Sequence, residues 1–305
     1  MAINKVMLAA LKALSYAERD VKKNYKLDRI MKNVTHPALT PLYKMWDHKV
    51  MSDGWEIPIR IFQPEQERAK EILLFFHGGG WVSGNIDSYS KTCKDLANET
   101  GRHVVSVDYR LAPEHPFPCA VEDCYSAARE LFSNAMNFGE GMEDVILIGD
   151  SAGGNLAAVV SLLAKERKEF TVKRQILIYP STYNDHTEQS PFASIRENGT
   201  DYLLTSKRIC DYIALYIQNE EDLKSPYFAP LLAEDLSGQP KTLLITAEYD
   251  PLRDEGEAYG EKLKEFGCEV EMVRFPDALH GFFTLPMRFE PVRQCQRLIT
   301  EFLDN

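Results

Sequence analysis

The chain has 305 residues, of which 44% are hydrophobic and 27% are charged, a balance typical of a globular protein with one large domain or two small ones. Its net charge of −11 argues against binding to nucleic acid or to an anionic membrane surface, because both need clustered Lys and Arg. No apolar run is long enough to predict a transmembrane span, and six scattered cysteines without a C-x-x-C pair indicate reduced thiols in the cytoplasm.

The N-terminal part of the chain, residues 2–43, reads as helix and loop. Leu8, Leu11 and Leu14 recur there at helical spacing, and nothing in this stretch is typical of a strand. From Lys49 onward, apolar and polar residues alternate on either side of Asp53-Gly54, which predicts a β-hairpin.

After the hairpin, apolar strand-like runs alternate with helical stretches. This alternation predicts an α/β fold with a mostly parallel central sheet flanked by helices on both faces. Strands are predicted at 71–76, 104–109, 145–148, 175–179, 242–247 and 270–275, and helices at 87–99, 120–135, 155–168, 254–266 and 291–303.

One connection, between Pro180 and Lys241, is about sixty residues long, far more than a simple crossover needs. Its piece 207–216 is predicted to be helical, whereas 188–205 is polar and irregular. An insertion after a central strand lies where open α/β sheets bind ligands, so we expect a helical cap from about 1–45 and about 185–216 within a single domain, 1–305. A surface excursion with no role in substrate binding is the alternative.

The stretch 145–158 reads V-I-L-I-G-D-S-A-G-G-N-L-A-A, an apolar strand, a tight turn and a small-residue helix. It contains the pattern G-x-S-x-G at Gly149, Ser151 and Gly153. In this motif the turn is so sharp that the serine backbone is strained and its hydroxyl is exposed above the sheet. Side chains at the two glycines would collide with the neighbouring strand or helix. Ser151 is therefore the candidate nucleophile.

The candidate base is His280, which follows the last predicted strand on a short loop, P-D-A-L-H-G-F. The candidate acid is Asp250, at the end of the strand K-T-L-L-I-T-A-E-Y-D, where it would hold the imidazole in the tautomer that accepts the serine proton. The order serine, aspartate, histidine is that of the α/β-hydrolases. Asp250 before Pro251 is also typical of a helix N-cap, and Asp254 is the second choice for the acid.

The motif H-G-G-G-W begins at His77, directly after the first strand of the alternating region. Its glycines allow backbone N–H groups to approach a substrate, so Gly78 and Gly79 are predicted to form an oxyanion hole with the N–H of Ala152. A dinucleotide-binding interpretation is disfavoured because the glycine spacing is one residue too long. No metal-binding motif is present, so no metal is predicted. His77 itself is predicted to be a buried hydrogen-bonding residue.

Five motifs together resemble the hormone-sensitive-lipase-like branch of the α/β-hydrolases, in particular its bacterial carboxylesterases and acetyl esterases. They are H-G-G-G-W, D-Y-R-L-A-P-E-H-P-F-P, G-D-S-A-G-G, D-P-L-R-D-E-G and L-H-G-F, in the order of the family, and they extend from about residue 70 to 285. The resemblance implies that Ser151, His280 and Asp250 form a catalytic triad, with Gly78, Gly79 and Ala152 as oxyanion donors. It also implies structural support from D-Y-R-L-A-P-E, a cap, no cofactor and often a homodimer.

The sequence therefore predicts a serine carboxylesterase that hydrolyses short-chain acyl esters of small molecules through an acyl-enzyme. An amidase or deacetylase would use the same triad, and a non-catalytic ligand-binding protein of this fold is disfavoured because no triad member is missing. Four aromatic residues could surround the entrance or simply pack in the core: Trp46, Trp81, Tyr183 and Phe282.

Overall fold

The computed structural model describes residues 20–35, 45–134, 141–142 and 144–305, and its elements follow the predicted alternation of strands and helices. The described strands are β1 (Met45–Ser52), β2 (Trp55–Phe62), β3 (Glu71–Phe76), β4 (His103–Val107), β5 (Asp144–Asp150), β6 (Arg174–Ile178), β7 (Lys241–Tyr249) and β8 (Val270–Leu279). The described α-helices are α1 (Val21–Thr35), α2 (Ile86–Thr100), α3 (Cys119–Ser133), α4 (Ala152–Arg167), α5 (Ala193–Asn198), α6 (Ser206–Tyr216), α7 (Arg253–Glu265) and α8 (Glu290–Asp304). Short 3-10 turns lie at Glu220–Lys224, Pro230–Leu232 and Phe282–Thr284.

The described strands form one eight-stranded sheet in the order β1-β2-β4-β3-β5-β6-β7-β8. The first two pairings, β1 with β2 and β2 with β4, are antiparallel, and all the others are parallel. This confirms the α/β-hydrolase fold with a mostly parallel sheet. Because β5, β7 and β8 run in the same direction, their carboxyl ends lie at one edge of the sheet, where open α/β sheets bind ligands.

The predicted hairpin connects β1 and β2 through Asp53 and Gly54, whose φ angles of 46° and 83° are both positive. Two central residues with positive φ match the right-handed twist of the flanking strands, and Asp-Gly is a preferred pair at these positions. The hairpin prediction is therefore confirmed.

The central strands are buried on both faces. Along β3, Leu74 and Phe76 belong to the apolar cluster on one side of the sheet, whereas Leu73 and Phe75 belong to the cluster on the other. Burial on both faces explains why these strands read as continuous apolar runs rather than as alternating ones.

Two elements differ from the prediction. Helix α5 interrupts the stretch 188–205, which was predicted to be irregular, and β8 continues through the loop sequence P-D-A-L to end directly before His280. The N-terminal leucines at positions 8, 11 and 14, like much of the proposed cap segment 1–45, lie outside the described residues. Among the residues that are described, no helix is both long and apolar enough to cross a membrane.

Candidate active site

The turn between β5 and α4 holds Ser151 in a strained conformation, with φ 56° and ψ −119°. Residues other than glycine rarely adopt such angles, and holding one there costs about 1–3 kcal/mol. The flanking glycines leave room for the turn: a Cβ at Gly149 would collide with the Gly153 carbonyl, and one at Gly153 would collide with the carbonyl of Phe76 in β3. The predicted strain and the predicted need for both glycines agree with this geometry.

The side chains of Ser151, His280 and Asp250 form a continuous chain of hydrogen bonds. The His280 Nε2 atom lies 2.9 Å from the Ser151 Oγ atom, and its Nδ1 atom lies 2.7 Å from the Asp250 Oδ2 atom. The Asp250 side chain is fully buried, whereas that of His280 is 12% exposed. With the ring proton on Nδ1, the imidazole donates to the carboxylate and accepts from the serine hydroxyl.

The two oxygens of the Asp250 carboxylate have separate partners. While Oδ2 contacts His280, Oδ1 accepts a hydrogen bond of 2.8 Å from the Leu252 N–H in the turn that leads into α7. The turn-capping and acid interpretations of this aspartate are thus compatible. The second-choice acid, Asp254, instead accepts from the Ser194 N–H at 2.7 Å and pairs with Arg253.

Of the two glycines predicted from the H-G-G-G-W loop, the structure places only Gly79 at the cavity. The Gly78 N–H donates to the Asp150 Oδ1 atom at 2.8 Å and also lies 3.1 Å from the Tyr89 hydroxyl, so it points into the protein interior. By contrast, Gly79, Gly80 and Ala152 line the cavity beside Ser151, and within the described part of the chain their N–H groups donate no hydrogen bond. Gly78 is therefore not placed to donate into the cavity as predicted, whereas Gly80, which the sequence analysis did not select, lines it.

A buried polar network holds the loop in place. Asp150, which is 2% exposed, accepts at Oδ2 from the Tyr89 hydroxyl at 3.0 Å. Burial, reinforced by the Asp150 charge, raises the pKa of Tyr89 well above its usual range, so the phenol keeps the proton that it donates. The D-Y-R-L-A-P-E segment contributes Tyr109, whose hydroxyl donates to the His77 carbonyl at 2.7 Å and whose ring stacks on the imidazole. Position 77 is fully buried, as expected.

A cavity of about 270 Å³ opens onto Ser151 and His280. Much of its apolar wall comes from the long insertion, since Leu203, Leu204 and the α6 residue Ile209 all line it. Of the four aromatic residues considered from the sequence, Trp81 lines the cavity and stacks on Tyr216, whereas Phe282 packs in the core and Tyr183 packs against Phe192. The Trp46 side chain lies outside the described part of the structure.

Side chains that commonly bind metals are not clustered near this cavity or elsewhere in the described ranges. No group of three or more His, Cys, Asp or Glu residues there has an arrangement that could hold a metal ion.

A serine on a strained strand–helix turn, a histidine after the last strand and a glycine-rich loop after an inner strand define an α/β-hydrolase. A family profile described as "alpha/beta hydrolase fold" matches residues 73–284, and the chain belongs to this family, in its hormone-sensitive-lipase-like branch.

Relatives with known names include esterases, in agreement with this family. An arylesterase of Saccharolobus solfataricus is 38% identical over 247 residues, which cover 81% of this chain and 79% of the relative. An ethyl acetate hydrolase of Pseudomonas putida is 34% identical over 257 residues, covering 83% and 80% of the two chains. Among solved structures, a hyperthermophilic esterase from Pyrobaculum calidifontis superposes with a TM-score of 0.85 at 36% identity, covering 99% of this chain and 97% of that one. The protein is a carboxylic ester hydrolase of the esterase type.

Proposed function

We propose that the protein hydrolyses short-chain acyl esters through an acyl-enzyme formed on Ser151. His280 takes the proton of the serine hydroxyl as the oxygen attacks the ester carbonyl, and then returns it to the leaving alcohol. Water repeats the sequence on the acyl-enzyme, releasing the acid and restoring the serine. Asp250 keeps the imidazole in the required tautomer and stabilises the imidazolium that forms.

The observation that carries this proposal is the unbroken hydrogen-bond chain from the buried carboxylate to the serine hydroxyl. Both ring nitrogens of His280 are engaged within ordinary hydrogen-bond distance, at 2.7 Å to Asp250 and 2.9 Å to Ser151. An imidazole held at both ends needs no rearrangement before it accepts the proton.

In this proposal the negative charge that develops on the carbonyl oxygen is stabilised by the N–H groups of Gly79, Gly80 and Ala152. These donors line the cavity beside the nucleophile and have no competing acceptor among the described residues. Ala152 is also the first residue of α4, so the positive end of the helix dipole faces the same position. Each such donor is typically worth about 100- to 1,000-fold in rate.

Two observations support short acyl chains. The cavity of about 270 Å³ is slightly smaller than the ~300–1,000 Å³ that is common for ligand sites. The similar Pseudomonas putida protein is named for hydrolysis of ethyl acetate, the ester of a two-carbon acid.

We also propose that the N-terminal segment and the insertion together cover the site as a cap within one domain. In support, Lys22 of α1 pairs with Asp211 of α6 at 3.7 Å, and α6 contributes part of the cavity wall. The Arg29 Nε atom of α1 donates at 2.7 Å to the carbonyl of Val82, which follows the glycine-rich loop.

The test compares the wild type with Ser151→Ala on p-nitrophenyl esters from acetyl to decanoyl. We expect the wild type to be fastest with the short acyl groups, and the variant to remain folded while losing turnover with all of them. A folded Ser151→Ala protein with wild-type turnover would refute the mechanism, and a wild type that is fastest with decanoyl would refute the chain-length assignment.

A further inference from the structure

One cationic side chain, Arg208, lines the cavity that contains Ser151 and His280. It lies in the first turn of α6, four residues before Tyr212, which also lines the cavity. Residues four apart lie on the same face of a helix, so this face of α6 is turned toward the candidate active site.

The charge of Arg208 is not neutralised within the described part of the protein. Its guanidinium forms no ion pair there, and its Nη1 atom donates to the Leu203 carbonyl at 3.3 Å, which is long for such a bond. The neighbouring cation differs in this respect, because Lys207 pairs with Asp211 at 2.8 Å.

No residue of the described cavity wall forms an ion pair with Arg208. The residues around it are mainly apolar, including Leu203, Leu204 and Ile209. Asp150 is the one carboxylate in the described lining; it accepts hydrogen bonds from the Gly78 N–H and the Tyr89 hydroxyl and is not paired with Arg208. Since the chain as a whole carries a net charge of −11, any attraction of anions into this cavity must be local.

We propose that Arg208 binds an anionic group of the substrate, so that the enzyme acts on esters that carry a carboxylate remote from the ester bond. A guanidinium presents a rigid fork of N–H donors that matches a carboxylate, and charge-assisted bonds of this kind are stronger than neutral ones. This inference rests on the proposed esterase function and assigns a substrate class to the same site. The reaction is still ester plus water giving acid plus alcohol.

The carboxylate could belong to the alcohol part or to the acyl part of the ester, so the test uses two matched pairs of substrates. The first pair is para-acetoxybenzoate and para-acetoxybenzamide, and the second is monoethyl adipate and its neutral amide, ethyl adipamate. The quantity measured is kcat/KM for the anionic ester divided by kcat/KM for its neutral partner.

We expect Arg208→Gln to lower this ratio by about tenfold or more in at least one pair, the range of a lost charge-assisted hydrogen bond. Arg208→Lys, which keeps the charge but not the fork, should retain a higher ratio than Arg208→Gln. Lys207→Gln is the matched control: it removes the same charge from the same helix, at a side chain that is already paired and does not line the cavity, and should leave the ratio unchanged.

An unchanged ratio in both pairs for Arg208→Gln would overturn the inference. If that unchanged ratio came from equal losses of kcat/KM on the charged and the neutral esters, the role of Arg208 would be to support the Leu203 carbonyl. Failure of the proposed function looks different, because the wild type would then hydrolyse neither neutral ester. The pair in which the ratio falls identifies the part of the substrate that carries the carboxylate.

Discussion

Replacing Ser151 by glycine should give a more stable protein than replacing it by alanine. Both variants lose the hydroxyl and its hydrogen bond to His280, so they differ only in the Cβ atom. The conformation at φ 56° and ψ −119° costs a residue with a Cβ about 2 kcal/mol, whereas glycine adopts it without this strain. Glycine also gives the unfolded chain more conformational entropy than alanine does, and this offsets about 0.7 kcal/mol of the advantage in the folded state. The difference favours Ser151→Gly by about 1 kcal/mol.

The assay is thermal unfolding of the two variants by calorimetry under identical conditions. A difference of about 1 kcal/mol corresponds to a Tm about 2 °C higher for Ser151→Gly in a chain of this size. Ala157→Gly in the regular part of α4 is the control, and it should lower Tm, since glycine costs about 1 kcal/mol in a helix interior. If the Tm of Ser151→Gly were equal to or lower than that of Ser151→Ala, the backbone at this turn would not be strained.

Three further predictions concern other parts of the molecule. In Asp250→Asn the Leu252 N–H keeps its hydrogen bond to the side-chain oxygen, so the NH₂ group faces the imidazole. Because this donor favours the tautomer that cannot accept the serine proton, kcat in a steady-state esterase assay should fall about 10⁴-fold. Gly80→Ala and Gly238→Ala both place a Cβ at a positive φ, 62° and 66°, so both should lower Tm. Only the Cβ at position 80 would collide with another residue, the Tyr212 ring in the cavity wall, so only Gly80→Ala should also lower kcat/KM. Burial lowers the pKa of His103, so the unfolded state binds more protons than the folded state. The free energy of unfolding should therefore fall as the pH drops from about 7.5 to 5.5, and His103→Gln should reduce that loss in urea titrations.

The sequence predicted the parts of the fold that depend on local patterns. Strand β3 has the predicted bounds because six consecutive residues, mostly apolar, are followed at once by the glycine-rich loop. The serine, aspartate and histidine could be chosen because each follows a strand whose carboxyl end lies at the same edge of the sheet. The pairing of neighbouring parallel strands then brings them together.

The differences come from contacts between distant residues. Helix α5 has no strong pattern of its own, and its ends are held by bonds to the turn before α7: the Ser194 hydroxyl donates to the Pro251 carbonyl at 2.7 Å, and the Asn198 amide donates to the Asp250 carbonyl at 3.2 Å. Strand β8 continues past Pro276 because an irregular register lets Leu279 pair with Tyr249. A proline read from sequence indicates the end of a strand.

The glycine-rich loop shows the limit most clearly. The sequence H-G-G-G-W offers three consecutive glycine N–H groups, and nothing in it says which of them faces the substrate. The choice depends on Asp150, since its carboxylate accepts from the Gly78 N–H and leaves those of Gly79 and Gly80 without an acceptor among the described residues. Position 150 directly precedes the serine in G-D-S-A-G-G, which is the signal that sequence reasoning could have used.

The same contact couples the proposed nucleophile to the proposed oxyanion donors. Asp150 is covalently next to Ser151, and Gly78 is covalently next to Gly79, so the bond between the Asp150 carboxylate and the Gly78 N–H joins the two at 2.8 Å. Moving one relative to the other would break a buried charge-assisted hydrogen bond. Arg208, by contrast, comes from the separate insertion on α6. Replacing Arg208 can therefore change which ester is bound without breaking this bond.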